Sequence, residues 1–248
     1  MAGLTMHNPH LYLDQPLRTG ERVLLPASTS HHMARVLRMR KGQGLVLFNN
    51  KGGEYAAEII GIDRNQVEVV VGTFHEGDRE SALDITLVQG IARGQHMDYT
   101  LQKAVELGVR RIVPVFTEYG NVRLSGQRLA GKLDHWHGLI INACEQCGRN
   151  RLAVLAPPLG IADWIPMDKN NTRLLLHPGQ GKRLSDVPRP QGPMSLLAGL
   201  EGGFSEAEIA LALRHDYVPV TLGPRTLRTE TAALAGVSAC QVLWGDLA

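Results

Sequence analysis

The sequence is poor in several features that would place it in a special class of protein. It has only three cysteines, an odd number and too few for a disulfide framework, so we expect a reducing compartment. It contains no apolar run of about eighteen residues, which excludes a predicted transmembrane helix. The opening stretch MAGLTMHNPH lacks both the basic and the apolar region of a signal peptide, so we expect a cytoplasmic protein without a membrane partner.

Motifs for common nucleotides and metals are also missing. The glycine-rich stretch at 199–203 reads G-L-E-G-G rather than G-x-G-x-x-G, and no Gly-Lys-Ser/Thr motif is present, which disfavours dinucleotides and nucleoside triphosphates. Cys144 and Cys147 form a lone C-x-x-C, and the upstream His135 and His137 match no common zinc-finger spacing. We therefore expect no metal site.

Positive charge is concentrated near the N-terminus. The formal net charge is only +2, but residues 1–41 carry six Lys and Arg against two acidic residues. Short alternating runs such as GLVLF and QVEVVVG predict a small β-barrel or sandwich over residues 1–74. A hairpin is predicted at NNKGG and a second turn at Arg64-Asn65. A helix is predicted at the start of STSHHMARVLRMRKG, with Ser28 or Ser30 as its N-cap, and it leads into a basic segment.

After the polar stretch FHEGDRESAL, which we interpret as a linker, strands and helices alternate. LDITLVQG, RIVPVF, TRLLLH, SLLAGL and VPVTLG predict strands. Helices are predicted for MDYTLQKAVELGV, where Gly108 has the position of the C′ residue, and for LAGKLDHWHGLIINACEQC, SEAEIALALRH and the C-terminal segment TETAALAGVSACQVLWG. This alternation indicates an α/β fold over residues 75–248.

The stretch LLAGLEGGFSEAE at 196–208 places a glycine-rich loop between a strand and a helix. Its glycines lack Cβ, so the main chain can approach another segment or a ligand closely. Ser205 and Glu208 have the spacing of a capping box, so the helix is predicted to begin directly after the loop. A glycine loop between a strand and a helix N-terminus is a frequent ligand site in α/β folds.

Five blocks in this order resemble a known family. LLAGLEGGFSEAEI and VTLGPRTLRTETAAL are similar to the signature loops GPEGGFS and LGxRILRTETA of the bacterial 16S ribosomal RNA uridine N(3)-methyltransferases, the RsmE family. HHMARVLRMRKG, LQKAVELGVRRIVPV and ACEQCGRN match further blocks, so the likeness spans the chain. The resemblance implies a PUA-like RNA-binding β-barrel at 1–74 and a SPOUT α/β domain at 75–248, with a deep trefoil knot at about 172–240. It also implies S-adenosylmethionine as cofactor, a homodimer, and 16S rRNA in the small ribosomal subunit as substrate.

Carried over by position, the resemblance implies a cofactor pocket built from three loops. Leu200 stands where the family has a proline, which leaves this turn less rigid. His177 either contacts the cofactor through its side chain or is a structural loop residue. The predicted cofactor-binding residues are Leu176, His177, Pro178, Gly199, Leu200, Glu201, Gly202, Gly203, Leu222, Gly223, Pro224, Leu227 and Arg228.

Two of these residues are candidates for the chemistry. N(3) of uracil is a weakly acidic imide that becomes nucleophilic when its proton leaves, and the base must be unpaired or extruded to be reached. A guanidinium does not lose its proton, so we interpret Arg228 as stabilising negative charge on a uracil carbonyl. Glu201 either accepts or orients the imide proton, or holds the loop by accepting bonds from main-chain N–H groups.

Basic residues along the chain are candidates for phosphate contacts, with a solvated basic face as the alternative. They are Arg35, Arg38, Arg40, Lys41, Arg93, Arg123, Arg128 and Arg149. The block EQCGR at 145–149 is assigned either to the substrate cleft or to a dimer interface. Two other functions stay open: a SPOUT enzyme that modifies a ribose 2′-hydroxyl or a tRNA, and a non-catalytic RNA-binding protein.

Overall fold

The computed structural model describes residues 8–64, 66–120, 124–179 and 181–247. The chain divides into two units, one formed by residues 1–80 with Cys144–Leu152 and the other by 81–143 with 153–248. The first unit thus includes Cys144–Leu152, a segment that the sequence analysis assigned to the predicted domain at 75–248. The functional domain boundary between residues 74 and 75 stays a prediction.

A five-stranded sheet forms the frame of the first unit. Its strand order is β1-β3-β4-β5-β2; β1 is parallel to β3 and the other pairs are antiparallel. Alternate residues of β3 and β5 are buried, because successive side chains of a strand point to opposite faces. The strands are β1 (His10–Tyr12), β2 (Arg22–Leu24), β3 (Gly44–Phe48), β4 (Glu54–Asp63) and β5 (Gln66–His75).

The turns of this sheet follow the sequence pattern with one shift. The hairpin predicted at NNKGG is confirmed by the antiparallel pairing of β3 with β4. The linker begins later than predicted, because β5 continues through His75. The turn predicted at Arg64-Asn65 includes Asn65, which lies outside the described residues.

The helix before the basic segment differs from its prediction. It is a short helix, α1 (Ala27–His31), followed by a π-helical turn, His32–Val36, and its N-cap residue is Pro26 rather than Ser28 or Ser30. Ser30 is buried instead, where its Oγ donates to the Leu25 carbonyl oxygen at 3.0 Å and accepts from Val67 N at 3.1 Å. The Ser30 hydroxyl therefore connects the helix to strand β5 by a hydrogen bond and is not available to cap the N-terminus of the helix.

A parallel sheet organises the second unit. Its order is β11-β13-β10-β12-β6-β7-β8, with β9 also pairing with β7, and every pairing is parallel. The strands are β6 (Ile85–Gly90), β7 (Arg111–Phe116), β8 (Val154–Leu155), β9 (Leu159–Gly160), β10 (Thr172–Leu176), β11 (Lys182–Arg183), β12 (Met194–Ala198) and β13 (Val218–Thr221).

Helices connect most of these strands. They are α2 (Gln95–Glu106), α3 (Gly126–Cys147), α4 (Ile161–Met167), α5 (Glu206–Arg214) and α6 (Thr229–Trp244). The α/β prediction is confirmed, and so is Gly108 as the residue after the C-cap of α2, with φ of +80°. Strands β6 and β12 are buried along their whole length, as expected of central strands of a parallel sheet. The short elements α4, β8, β9 and β11 had no sequence signal strong enough to predict them.

A carboxylate joins helices α2 and α3. Asp98 Oδ1 accepts from Lys132 Nζ at 2.9 Å and from Trp136 Nε1 at 3.0 Å, and its Oδ2 lies 2.8 Å from His135 Nε2. Partial burial alone would raise the pKa of Asp98, but the hydrogen bonds from these three side chains outweigh burial and lower it.

This arrangement predicts a pH-dependent contribution to stability. A carboxyl with a lowered pKa in the folded state stabilises the protein above its unfolded pKa of about 4, and this stabilisation disappears as pH falls through the folded pKa. We expect Asp98→Asn to reduce the free energy of unfolding by about 1 to 2 kcal/mol at pH 7, after allowance for solvent screening. Urea denaturation of wild type and variant at pH 7 and near pH 3 measures this difference in the free energy of unfolding.

The control is Asp134→Asn, because Asp134 is an exposed residue of α3. We expect the difference in free energy of unfolding between wild type and Asp98→Asn to shrink at the lower pH. Asp134→Asn should have little effect on stability at either pH. A gap that is the same at both pH values would contradict the assigned role of the ionised carboxylate.

Candidate active site

Three loops meet at one edge of the parallel sheet. They follow β10, β12 and β13, whose carboxyl ends lie at the same edge because neighbouring strands are parallel. Together they enclose a cavity of about 240 Å³. Residues from all three predicted segments line it: Leu176, His177, Pro178, Gly199, Leu200, Glu201, Gly202, Gly203, Leu222, Gly223 and Leu227.

Two residues predicted for this pocket lie outside its lining. Pro224 and Arg228 are exposed and do not line the cavity. Arg228 nevertheless lies next to it, because the following residue, Thr229, is part of the lining. Several lining residues were missed by sequence reasoning, because most of them are ordinary apolar or hydroxyl residues of strands and helices. They are Phe204, Ile209, Val220, Thr221, Thr226, Thr229 and Ala232; Arg225, whose place in the loop before α6 suggests contact with a ligand or an RNA, also lines the cavity.

The glycine loop is a tight turn that ends in a capped helix. Gly203 N donates to the Leu200 carbonyl oxygen at 2.9 Å, and Gly203 has φ of +70°, a conformation that favours glycine. The predicted capping box is confirmed: Ser205 Oγ accepts from Glu208 N at 3.2 Å, and Glu208 Oε2 accepts from Ser205 N at 2.8 Å.

Leu200, the residue in the family's proline position, packs against neighbouring loops. A methyl group on Gly90, at the end of β6, would lie 3.1 Å from Leu200 Cγ, and one on Gly120 would lie 3.3 Å from Leu200 Cδ1. The leucine side chain therefore occupies space that the two glycines leave open. This packing holds the turn by side-chain contact, where a proline would restrict the main chain.

Thr229 holds the glycine loop from the first turn of α6. Its Oγ1 donates to the Gly199 carbonyl oxygen at 2.6 Å and accepts from Gln89 Nε2 at 3.0 Å. Both Thr229 and Gln89 are buried. The end of β6 and the start of α6 are thus tied through one hydroxyl to the loop that lines the cavity.

Three charged side chains in or beside the cavity make no polar contact within the part of the chain that the structure describes. Across the described residues, neither the Glu201 carboxylate nor the guanidinium groups of Arg225 and Arg228 form a hydrogen bond or an ion pair. The alternative in which Glu201 holds the loop by accepting from main-chain N–H groups is therefore not seen. His177 Nδ1 lies 3.1 Å from its neighbour's carbonyl oxygen, Pro178 O, an arrangement typical of a local loop contact.

The basic residues predicted to contact phosphate fall into three groups. Six are exposed: Arg35, Arg38, Arg40, Lys41, Arg93 and Arg128. Arg123 lies outside the described residues. Arg149 requires a correction, because it is only 3% exposed and pairs with Glu80 through Nε to Oε1 at 2.8 Å and Nη2 to Oε2 at 2.6 Å.

The cysteines and histidines form no metal site in the part of the chain that the structure describes, where no group of three or more His, Cys, Asp or Glu side chains converges. Cys144, Cys147 and Cys240 are not joined in a disulfide. Of the helices described, none is both long and apolar enough to cross a lipid bilayer.

Comparisons with known proteins give this site a context. Residues 79–241 match the family model described as RNA methyltransferase domain, and residues 25–72 match the RNA methyltransferase PUA domain. The chain is 35% identical over 240 residues to the ribosomal RNA small subunit methyltransferase E of Buchnera aphidicola from Schizaphis graminum, covering 96% of this chain and 98% of the relative.

Two solved structures are similar over almost the whole chain. One is a ribosomal RNA small subunit methyltransferase E from Neisseria gonorrhoeae bound to S-adenosyl methionine, with 39% identity, a TM-score of 0.91 and coverage of 98% of this chain and 100% of that one. The other, described as a methyltransferase from Legionella pneumophila with the bound cofactor SAM, has 38% identity, a TM-score of 0.93 and the same coverage. The present chain, an α/β protein with a PUA-like domain, therefore belongs to the ribosomal RNA small subunit methyltransferase E family and is an RNA methyltransferase.

Proposed function

We propose that this protein methylates N(3) of a specific uridine in 16S rRNA of the small ribosomal subunit, with S-adenosylmethionine as methyl donor. The observation that carries the proposal is the cavity itself: three loops of an RNA methyltransferase domain converge on it, and two charged residues of its lining, Glu201 and Arg225, have no polar partner among the described residues. Family relatives that carry the rRNA methyltransferase name, and related structures with the bound cofactor, support it.

The lining residues fit this cofactor. Leu176, Leu222 and Leu227 provide apolar walls, and the glycines of the loop expose main-chain N–H and C=O groups that can pair with the edge of an adenine. When bound, S-adenosylmethionine supplies an electrophilic methyl group on a sulfonium. The protein's contribution to an in-line displacement is alignment of the two reactants and stabilisation of the developing charge.

Two charged residues have roles in this proposal. Arg228 stabilises negative charge that develops on a uracil carbonyl, and Glu201 accepts or orients the imide proton. The absence of a protein partner for either side chain in the described structure is consistent with both roles, because each is available to a ligand.

The architecture proposed for this function has an RNA-binding barrel at residues 1–74 and a SPOUT catalytic domain at 75–248. A trefoil knot at about 172–240 is supported by the sheet order, in which β10 lies between β12 and β13, and by the meeting of their three following loops. We also propose a homodimer in the cytoplasm; the exposed apolar side chains of Val242 and Leu243 on α6 are suited to contact with a second copy.

Nucleoside mass spectrometry tests the function directly. Wild-type protein is incubated with S-adenosylmethionine and either naked 16S rRNA or small ribosomal subunits from cells that lack this activity. We expect 3-methyluridine. A 2′-O-methylated nucleoside, a product only in tRNA, or RNA binding without any methylation would each contradict the proposal and identify the alternative.

Glu201→Gln tests the role of the carboxylate in proton transfer. A loss of general acid–base catalysis typically lowers kcat by about 10²- to 10⁴-fold. We expect kcat to fall into this range while calorimetric affinity for S-adenosylmethionine stays within about threefold. Full methylation by the variant, with normal cofactor binding, would remove Glu201 from the chemistry.

Arg38→Glu tests the basic segment of the first unit. Arg38 is exposed and has φ of +52°, and we expect charge reversal to weaken RNA binding and to make the slope of log K against log salt shallower by about one. The matched control is Arg18→Glu, which makes the same charge change at another exposed arginine of this unit. Equal weakening by both variants would indicate a general effect of net charge.

A further inference from the structure

Glu208 does more than cap helix α5. It is only 8% exposed, and each of its carboxylate oxygens accepts a main-chain hydrogen bond. Oε2 accepts from Ser205 N at 2.8 Å, which completes the cap, whereas Oε1 accepts from Glu118 N at 2.8 Å. One carboxylate thus ties the end of the glycine loop to the segment Thr117–Gly120 that follows β7.

The segment Thr117–Gly120 is itself a tight turn packed on the glycine loop. Gly120 N donates to the Thr117 carbonyl oxygen at 3.0 Å, which closes the turn. Gly120 lies against Leu200, as described above, and a methyl group on Gly202 would lie 3.4 Å from Tyr119 Cβ. The turn therefore contacts the glycine loop and the helix after it at three points: the Glu208 carboxylate, Leu200 and Gly202.

This turn presents an aromatic side chain next to the cavity. Tyr119 is 52% exposed although its Cβ and ring carbons border Gly202, which lines the cavity. The buried Glu208 carboxylate fixes the main chain at Glu118, directly before this residue, so the exposed ring is held in place beside the cavity. Unpaired bases of RNA are bound by stacking on aromatic side chains, and every base offers a π-face for this contact.

We propose, on the basis of the function proposed above, that Tyr119 is a stacking platform for the pyrimidine to be methylated or its flanking base. Glu208 is the positioning residue that holds this platform against the glycine loop. Substitution by glutamine is a sharp test of the second role, because the amide is nearly isosteric but can accept at only one of its two polar atoms. The other atom would then face a main-chain N–H as a donor, and one of the two bonds would be lost.

Five variants separate the roles. Tyr119→Ala removes the ring and Tyr119→Phe keeps it, while Glu208→Gln disrupts the carboxylate bridge. Ser205→Ala is the matched control, since it weakens the cap of α5 and leaves the bond from Glu118 N to Glu208 in place. The double variant Tyr119→Ala/Glu208→Gln measures coupling between the two positions.

The measured quantities are kcat/KM for small ribosomal subunits at saturating cofactor, the equilibrium affinity for 16S rRNA, the calorimetric Kd for S-adenosylmethionine, and Tm. We expect Tyr119→Ala to lower kcat/KM by about tenfold or more, with Tyr119→Phe within about twofold of wild type. Glu208→Gln should lower it by about five- to tenfold and Ser205→Ala by less than about twofold, although both lower Tm. The double variant should be no worse than Tyr119→Ala alone.

Several results would overturn the proposal. An unchanged kcat/KM and rRNA affinity in Tyr119→Ala would show that Tyr119 is not a stacking platform. Equal effects of Glu208→Gln and Ser205→Ala would show that Glu208 acts only as a helix cap. Additive losses in the double variant would show that Glu208 does not act through Tyr119. Failure of the wild type to bind S-adenosylmethionine or to form 3-methyluridine would instead overturn the proposed function, and the rRNA affinities of the variants would still decide the role of Tyr119.

Discussion

Replacing Arg228 with glutamine is expected to lower kcat for methyl transfer by about 10²- to 10³-fold, the loss typical of removing one donor that stabilises a developing anion. Glutamine keeps a hydrogen-bonding group but removes the positive charge that would face the uracil carbonyl. The fold around this position should persist, because Arg228 contributes to the start of α6 through its carbonyl oxygen, which accepts from Ala232 N at 2.8 Å. Single-turnover methylation with saturating enzyme measures the chemical step.

Arg214→Gln is the matched control, since Arg214 is another exposed arginine of the same unit, at the end of α5. We expect its kcat to equal that of wild type within about twofold. Arg228→Gln should also bind S-adenosylmethionine nearly normally, because Arg228 lies outside the cavity lining. A large loss of cofactor affinity with an unchanged chemical step would assign Arg228 to binding and contradict its role in stabilising charge.

The second large effect is expected on stability, from the buried pair of Arg149 and Glu80. Both side chains are almost inaccessible and are joined by two hydrogen bonds. Burial alone would lower the pKa of Arg149, but the bonds and charge of Glu80 raise it, so the arginine is charged in the interior. Arg149→Met leaves the Glu80 carboxylate buried and unpaired, which should cost about 3 to 5 kcal/mol in the free energy of unfolding.

Urea denaturation followed by circular dichroism measures this cost. The double variant Arg149→Met/Glu80→Leu should recover most of the loss, because apolar residues of similar size often replace a buried ion pair without penalty. Arg151→Met is the control: its pair with Asp78 is about half exposed and 3.4 Å long, so we expect a loss below about 1 kcal/mol. Equal losses for Arg149→Met and Arg151→Met would show that burial of the pair is unimportant.

Local patterns predicted those parts of the fold that depend on neighbours in sequence. The hairpin at NNKGG, the C′ position of Gly108 and the capping box of Ser205 with Glu208 all rest on contacts within a few residues, and each is confirmed. The order of the parallel strands has no such local signal. It follows from pairings between distant segments, and the resemblance to a family suggested which loops would meet before any pairing was known.

The errors came from side chains whose partners are far away in the chain. Arg149 looked like a surface cation because Glu80 is 69 residues before it. Ser30 looked like a helix cap because the main-chain N–H of Val67, which donates to its hydroxyl, lies 37 residues later in the chain. The supporting residues of the cavity were missed for the same reason, since the contact between Gln89 and Thr229 spans 140 residues.

The pairing of β6 with β12 has a consequence for how the chain acquires its structure. Ile85 lies beside Met194, so one neighbour of this central strand is about 110 residues later in synthesis. Contacts of such long sequence separation are slow to form, and until they do, an apolar strand has an open edge. We therefore expect the growing polypeptide to depend on a chaperone to shield the open edge of Ile85–Gly90 until Met194–Ala198 leaves the ribosome.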